Sequence, residues 1–96
     1  MIKLLKLITG EEIIADVTET QDALELKTPV RVVFTQEGVG MVPYTLLAKS
    51  DVISIKNQHV IYIAGPDIEA LNAYNSQFGS GLVLPGNSGP NLKIIT

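Results

Sequence analysis

The sequence predicts a mainly β fold: a small, strongly bent antiparallel barrel or sheet with a C-terminal helix. Three observations predict it. Short apolar runs rich in Ile, Val and Leu recur between Ile2 and Ala64, separated by polar or glycine-bearing breaks. At least one run alternates cleanly, with Leu24 and Leu26 on one face and Glu25 and Lys27 on the other. After Gly65-Pro66 the apolar spacing changes to that of a helix.

Residues 2–8 fit a strand or a helix by periodicity alone, and Thr9-Gly10 favours a strand ending in a bend or bulge. Residues 12–19 resume as a second strand through Ile13, Ile14 and Val17, and 18–22 form a polar turn. The strand over 23–27 should stop at Pro29, or run along an edge, because proline donates no ladder hydrogen bond. Residues 30–35 are β-rich, 36–40 read as a loop, and 41–49 as a further strand with Pro43 near its start. Residues 52–55 and 59–64 are two short strands, or one kinked strand, around Lys56-Asn57-Gln58-His59.

The helix is expected over 65–79, with Ile68, Leu71, Tyr74 or Asn75, and Phe78 at helical spacing. Pro66 suits its first turn, Asp67 and Glu69 its positive end, and Gly79 its stop. Residues 80–96 form a loop-rich tail in which 92–95 is a last short strand or a loose end. The organisation is therefore a β unit over 1–64, the helix over 65–79, and the tail.

Ninety-six residues make one domain, and 46% hydrophobic content supplies a core. Aromatics are only 5%, so that core is aliphatic. The chain has no cysteine, which removes disulfides, thiolate metal sites and a cysteine nucleophile. Net charge is −3, against general capture of nucleic acid or of an anionic membrane. The charge is uneven, with residues 1–25 at −4. No leader or membrane-length apolar run is visible, so the expectation is a cytoplasmic protein without a membrane partner.

Catalytic chemistry is poorly provided for. His59 is the single histidine, and no carboxylates stand at a ligand spacing with it, so a structural role outweighs specific chemistry. Glu11 and Glu12 are adjacent, and adjacent strand residues point to opposite faces rather than into one site. The glycine-rich stretches at 79–81 and 86–89 lack the lysine and the βαβ setting of a phosphate loop. No enzyme activity, metal or cofactor is expected. Lys49, Lys56, Arg31 and the three tyrosines are thin for a monomer binding nucleic acid. A ring would multiply one lysine per subunit, and edge pairing would hide the exposed strands of a small open barrel.

The residues 55–63, Ile-Lys-Asn-Gln-His-Val-Ile-Tyr-Ile, resemble the second motif of Sm-like proteins, a tight turn between the last two barrel strands. Residues 7–17, with Gly10 at the bend, and 22–26 resemble the first motif. The likeness spans residues 1–64. It extends to small Sm-like proteins of tailed phages and marine bacteria, and the family includes the LSm and Hfq types. It implies an Sm-like (SH3-type) barrel, a homo-oligomeric ring, and single-stranded RNA held near the pore. In that role Lys56 neutralises phosphate or stacks on a base, Asn57 shapes the turn and offers an amide, Asp22 orders the facing turn, and His59 stacks on a base. Asn57 replaces a glycine there and tolerates positive φ. Glu25 stands where the family carries a base-recognising asparagine, and a carboxylate donates no amide hydrogen bond. The alternative is a structural or protein-interaction module of the same ring fold that binds no RNA.

Overall fold

A computed structural model describes residues 1–45, 47–78 and the backbone of 92–94. Six antiparallel strands make one sheet: β1 (Ile2–Leu7), β2 (Glu12–Glu19), β3 (Ala23–Thr35), β4 (Gly38–Pro43), β5 (Val52–Lys56) and β6 (Val60–Ala64). The helix α1 (Ile68–Phe78) follows, and a short β7 (Leu92–Ile94) lies parallel to β4. Strand order is β6-β1-β2-β3-β4-β7, with β5 docked on β3 beside β4. Among the described residues the sheet stays open. The mainly β antiparallel sheet with one helix is as expected, whereas a bent Sm-like barrel is not established, because β5 and β6 pair with β3 and β1 and not with each other.

The chain bends where its backbone has to. Gly10 has φ +100° in the β1–β2 turn, where its N–H donates to Leu7 O at 2.9 Å. A side chain there would meet open space, so glycine is needed for its left-handed backbone and not for room.

The larger bend is inside β3. Leu24 and Leu26 pack into one core, yet Val30 and Val32 pack into another on the opposite face. Even spacing should keep all four on one face. The register explains the inversion. Ile14 faces Val30 and Asp16 faces Lys27, so Thr28 and Pro29 together oppose Ala15. This is a bulge, and one inserted residue turns every later side chain over.

Thr28 takes φ +51°, unusual for a β-branched residue. Its N–H donates to Asp51 O at 2.7 Å and its hydroxyl to Asp51 Oδ2 at 3.3 Å. Pro29 sits at the bulge, where one ladder donor is dispensable. Its carbonyl accepts from Tyr44 N at 2.9 Å. The sequence places Pro29 at a strand end or edge; it lies inside a continuous 13-residue strand instead.

Two cores result. One is enclosed by the curled face, with Leu5, Leu7, Ile13, Ala15, Val17, Leu24 and Leu26 buried and Ile53, Ile55 and Val60 against them. The other lies under the helix, where Ile14, Val30 and Met41 meet Ala73 and Tyr74. The helix buries Ala73 and Tyr74, with Ala70 and Phe78 partly buried against the same core, so Tyr74 and Phe78 stand on the packed face as expected. Ile68, expected on the packed face, is 67% exposed.

Asp67 is the N-cap: its Oδ1 accepts from Ala70 N at 2.8 Å. Pro66 therefore precedes the cap and does not sit in the first turn. Other boundaries also move. Residues 36–37 form a short turn with β4 starting at Gly38, and β4 ends at Pro43 rather than continuing to 49. Residues 92–94 are a strand, the first of the two alternatives, whereas Gly79 and most of the tail lie outside the described residues.

Tyr74 ties the helix to the bulge. Its hydroxyl donates to Thr28 O at 2.7 Å and reaches Lys27 O at 3.3 Å. Burial, with Asp16 adding repulsion, pushes its pKa up to about 12. A raised folded-state value means the contribution is complete below the unfolded value near 10 and is lost as pH rises toward about 12. Tyr74→Phe should cost about 1–2 kcal/mol at neutral pH by stranding the carbonyls. It should also reduce the fall in urea midpoint between pH 9 and pH 11.5. An unchanged alkaline slope in the variant contradicts the latch.

Candidate functional site

Two turns meet at one end of the sheet. The β2–β3 turn is closed by Thr20, whose N–H and hydroxyl both donate to Ala23 O, at 2.9 and 2.8 Å. Ala23 N returns a bond to Thr20 Oγ1 at 3.2 Å. These local bonds satisfy a turn that has no glycine. The second turn is a single 3-10 turn, Asn57–His59, joining β5 to β6. Lys56, extended at φ −66° and ψ 143°, leads into it and faces Ala23 across the β3–β5 pair.

Asn57 joins the two turns. Its backbone N–H donates to Asp22 O at 3.1 Å and its side-chain amide to Gln21 O at 3.4 Å. Asp22, Lys56 and Asn57 thus come together, all exposed. His59 is exposed too, but its carbonyl accepts from Ile8 N at 2.9 Å, tying it to the β1–β2 turn. Asn57 works differently from the sequence expectation. Thr28 is the one non-glycine with positive φ among the described residues, so Asn57 opens a 3-10 turn and its amide binds the neighbouring turn.

The electrostatics here are mixed. Glu25 and Lys56 share the outward face of the β3–β5 pair, one step apart along the ladder. Diagonal neighbours of this kind lie about 7–8 Å apart. Glu25 pairs with Ser54 and Thr18 within the sheet and not with the turn.

Sequence reasoning missed a second polar group. Tyr44 OH donates to Glu11 Oε2 at 3.3 Å, and the Thr9 hydroxyl donates to the other carboxylate oxygen. The Thr9 bond chiefly holds the Glu11 carboxyl below its usual range, and burial, then Glu11 itself, raises the Tyr44 phenol. Tyr62 OH donates to Glu12 Oε2 at 3.1 Å, which raises the Tyr62 phenol. The adjacent glutamates therefore bond to separate tyrosines, although both line one cavity with Lys6 and Arg31. Each partner lies more than thirty residues away in sequence, so no local motif signals it.

Among the described residues no group of three or more His, Cys, Asp or Glu is placed to hold a metal. No helix there is long and apolar enough to cross a membrane. No protein-family model matches the chain, and no curated protein matches it.

Proposed function

We propose that the chain is an Sm-like module that assembles head to tail and holds single-stranded RNA at the paired turns. The observation that carries this reading is the Asn57 bridge, which brings Lys56, Asn57 and Asp22 to one exposed end. The single 3-10 turn between β5 and β6 supports it, because the resemblance implies a tight turn between the last two barrel strands. The open sheet is a departure that leaves the turn cluster intact.

Assembly follows from the strand edges. Among the described residues β5 pairs only with β3 and β6 only with β1. Each offers one free edge, and the β6 edge carries Ile61, 60% exposed, and Ile63, 40% exposed. Two different edges join head to tail, which generates a closed ring when the rotation closes. One Lys56 per subunit then becomes a circle of cations around the axis.

A second reading is favoured by one observation: Glu25 lies diagonal to Lys56 and offsets it, in a chain of net charge −3. The same ring then serves as a structural or protein-interaction module. Retention of labelled oligo-A and oligo-U at low salt separates the two. RNA binding predicts retention that weakens with salt, with a slope of about −0.7 per phosphate neutralised. Lys56→Ala should weaken it by about tenfold or more and flatten that slope. No retention at low salt contradicts RNA binding and leaves the structural reading.

A further inference from the structure

We propose that β7 is an autoinhibitory guard strand, whose release lets β4 pair edge to edge with β4 of a second copy. β4 pairs with β3 on one side and with β7 on the other. Without β7 its outer edge would present unpaired backbone groups, a template for another strand. Such edges are protected by charged side chains, by proline or by a cover. β4 reads Gly-Val-Gly-Met-Val-Pro, with no charged residue and a proline only at its last position. Its protection is therefore the cover.

β7 supplies that cover with Leu92, Lys93 and Ile94 opposite Val39, Gly40 and Met41. It also changes the chemistry of the edge. The outermost strand now has Lys93 at its central register position, and a lysine opposes further strand addition. The cover is short. It spans three of the six residues of β4, in a parallel ladder, the less stable pairing per residue. A longer antiparallel ladder can displace it.

The edge beneath it suits a second copy. Two β4 strands related by a twofold axis run antiparallel and form an isologous contact that closes at two chains. An uncharged strand brings no like charges together across that junction. The contact uses neither β5 nor β6, so it stands apart from the proposed ring edges and from RNA binding.

The test is Lys93→Pro in the full chain, which removes a ladder donor at the centre of β7. It is made together with Ile61→Lys, which blocks the proposed ring edge on β6. Light scattering should show the Ile61→Lys parent as a single chain and the double variant at twice that mass, with the urea transition retained. If the ring reading fails, the wild-type chain is itself a single chain, and the same doubling is read without Ile61→Lys. A synthetic peptide of residues 91–96 supplies the missing strand in trans and should return the double variant to the parent mass. Val39→Lys, which puts a charge on the β4 edge, should do the same. An unchanged mass after Lys93→Pro, loss of the folded state, an open-ended aggregate, or a dimer that neither the peptide nor Val39→Lys reverses would each overturn the proposal.

Discussion

Deleting Thr28 should cost about 2–4 kcal/mol yet keep a cooperative urea transition, because three hydrogen bonds leave with it while the facing of the strands survives. Without the extra residue β2 and β3 pair in plain alternation: Lys27 stays opposite Asp16, Pro29 alone takes the place opposite Ala15, and Val30 stays opposite Ile14. Leu24 and Leu26 then keep one face and Val30 and Val32 the other, as in the native cores. What is lost is the bend, held by the Thr28 N–H and hydroxyl on Asp51 and by the Thr28 carbonyl that receives the Tyr74 hydroxyl. That loss is a large fraction of the roughly 5–15 kcal/mol that holds a typical domain together.

Thr28→Gly is the control. It keeps the chain length and relieves the positive φ, while losing the hydroxyl bond to Asp51. It should retain a cooperative urea transition. A deletion variant without a cooperative transition would show that the bulge itself is needed to set the two cores, and one at the wild-type midpoint would show that the bend contributes nothing.

Ile61→Lys should reduce the proposed assembly to a single chain of 10.3 kDa. The side chain stands on β6, which among the described residues pairs with β1 alone, and most of it is exposed. A lysine on an edge strand opposes strand addition by burying its charge at the junction. The monomer itself should lose little stability, since little of the side chain is buried within it. The expected result is therefore a change in mass with the urea transition preserved as a folded-chain transition. Loss of the folded state in this variant would mean that Ile61 supports the core instead.

The parts of this fold that were legible in the sequence are those set by local pattern. Alternation at Leu24–Lys27, the glycine bend at Gly10 and the switch to helical spacing after Gly65 each rest on neighbouring residues. The parts that were not legible depend on distant ones. Pro29 reads as a terminator until Thr28 and Ala15 are seen to form a bulge in which its missing donor costs nothing. On the helix, Tyr74 and Phe78 lie on the packed face that their spacing indicates, but Ala70 and Ala73 share it and Ile68 is left outside. Strand number and bending leave barrel or sheet open in the sequence, because neither fixes the final pairing.

The site divides in the same way. Lys56-Asn57 stands out as a polar break between apolar runs, and Asp22 as part of a polar turn. Their meeting depends on a side-chain amide spanning 36 positions in sequence. The tyrosine partners of Glu11 and Glu12 leave no trace in either local stretch.

Size-exclusion chromatography with light scattering on the wild-type chain tests the central claim most directly. Head-to-tail assembly through the β5 and β6 edges predicts a discrete mass at a whole-number multiple, three or more, of 10.3 kDa, stable on dilution. A monodisperse species of 10.3 kDa across the concentration range would contradict it.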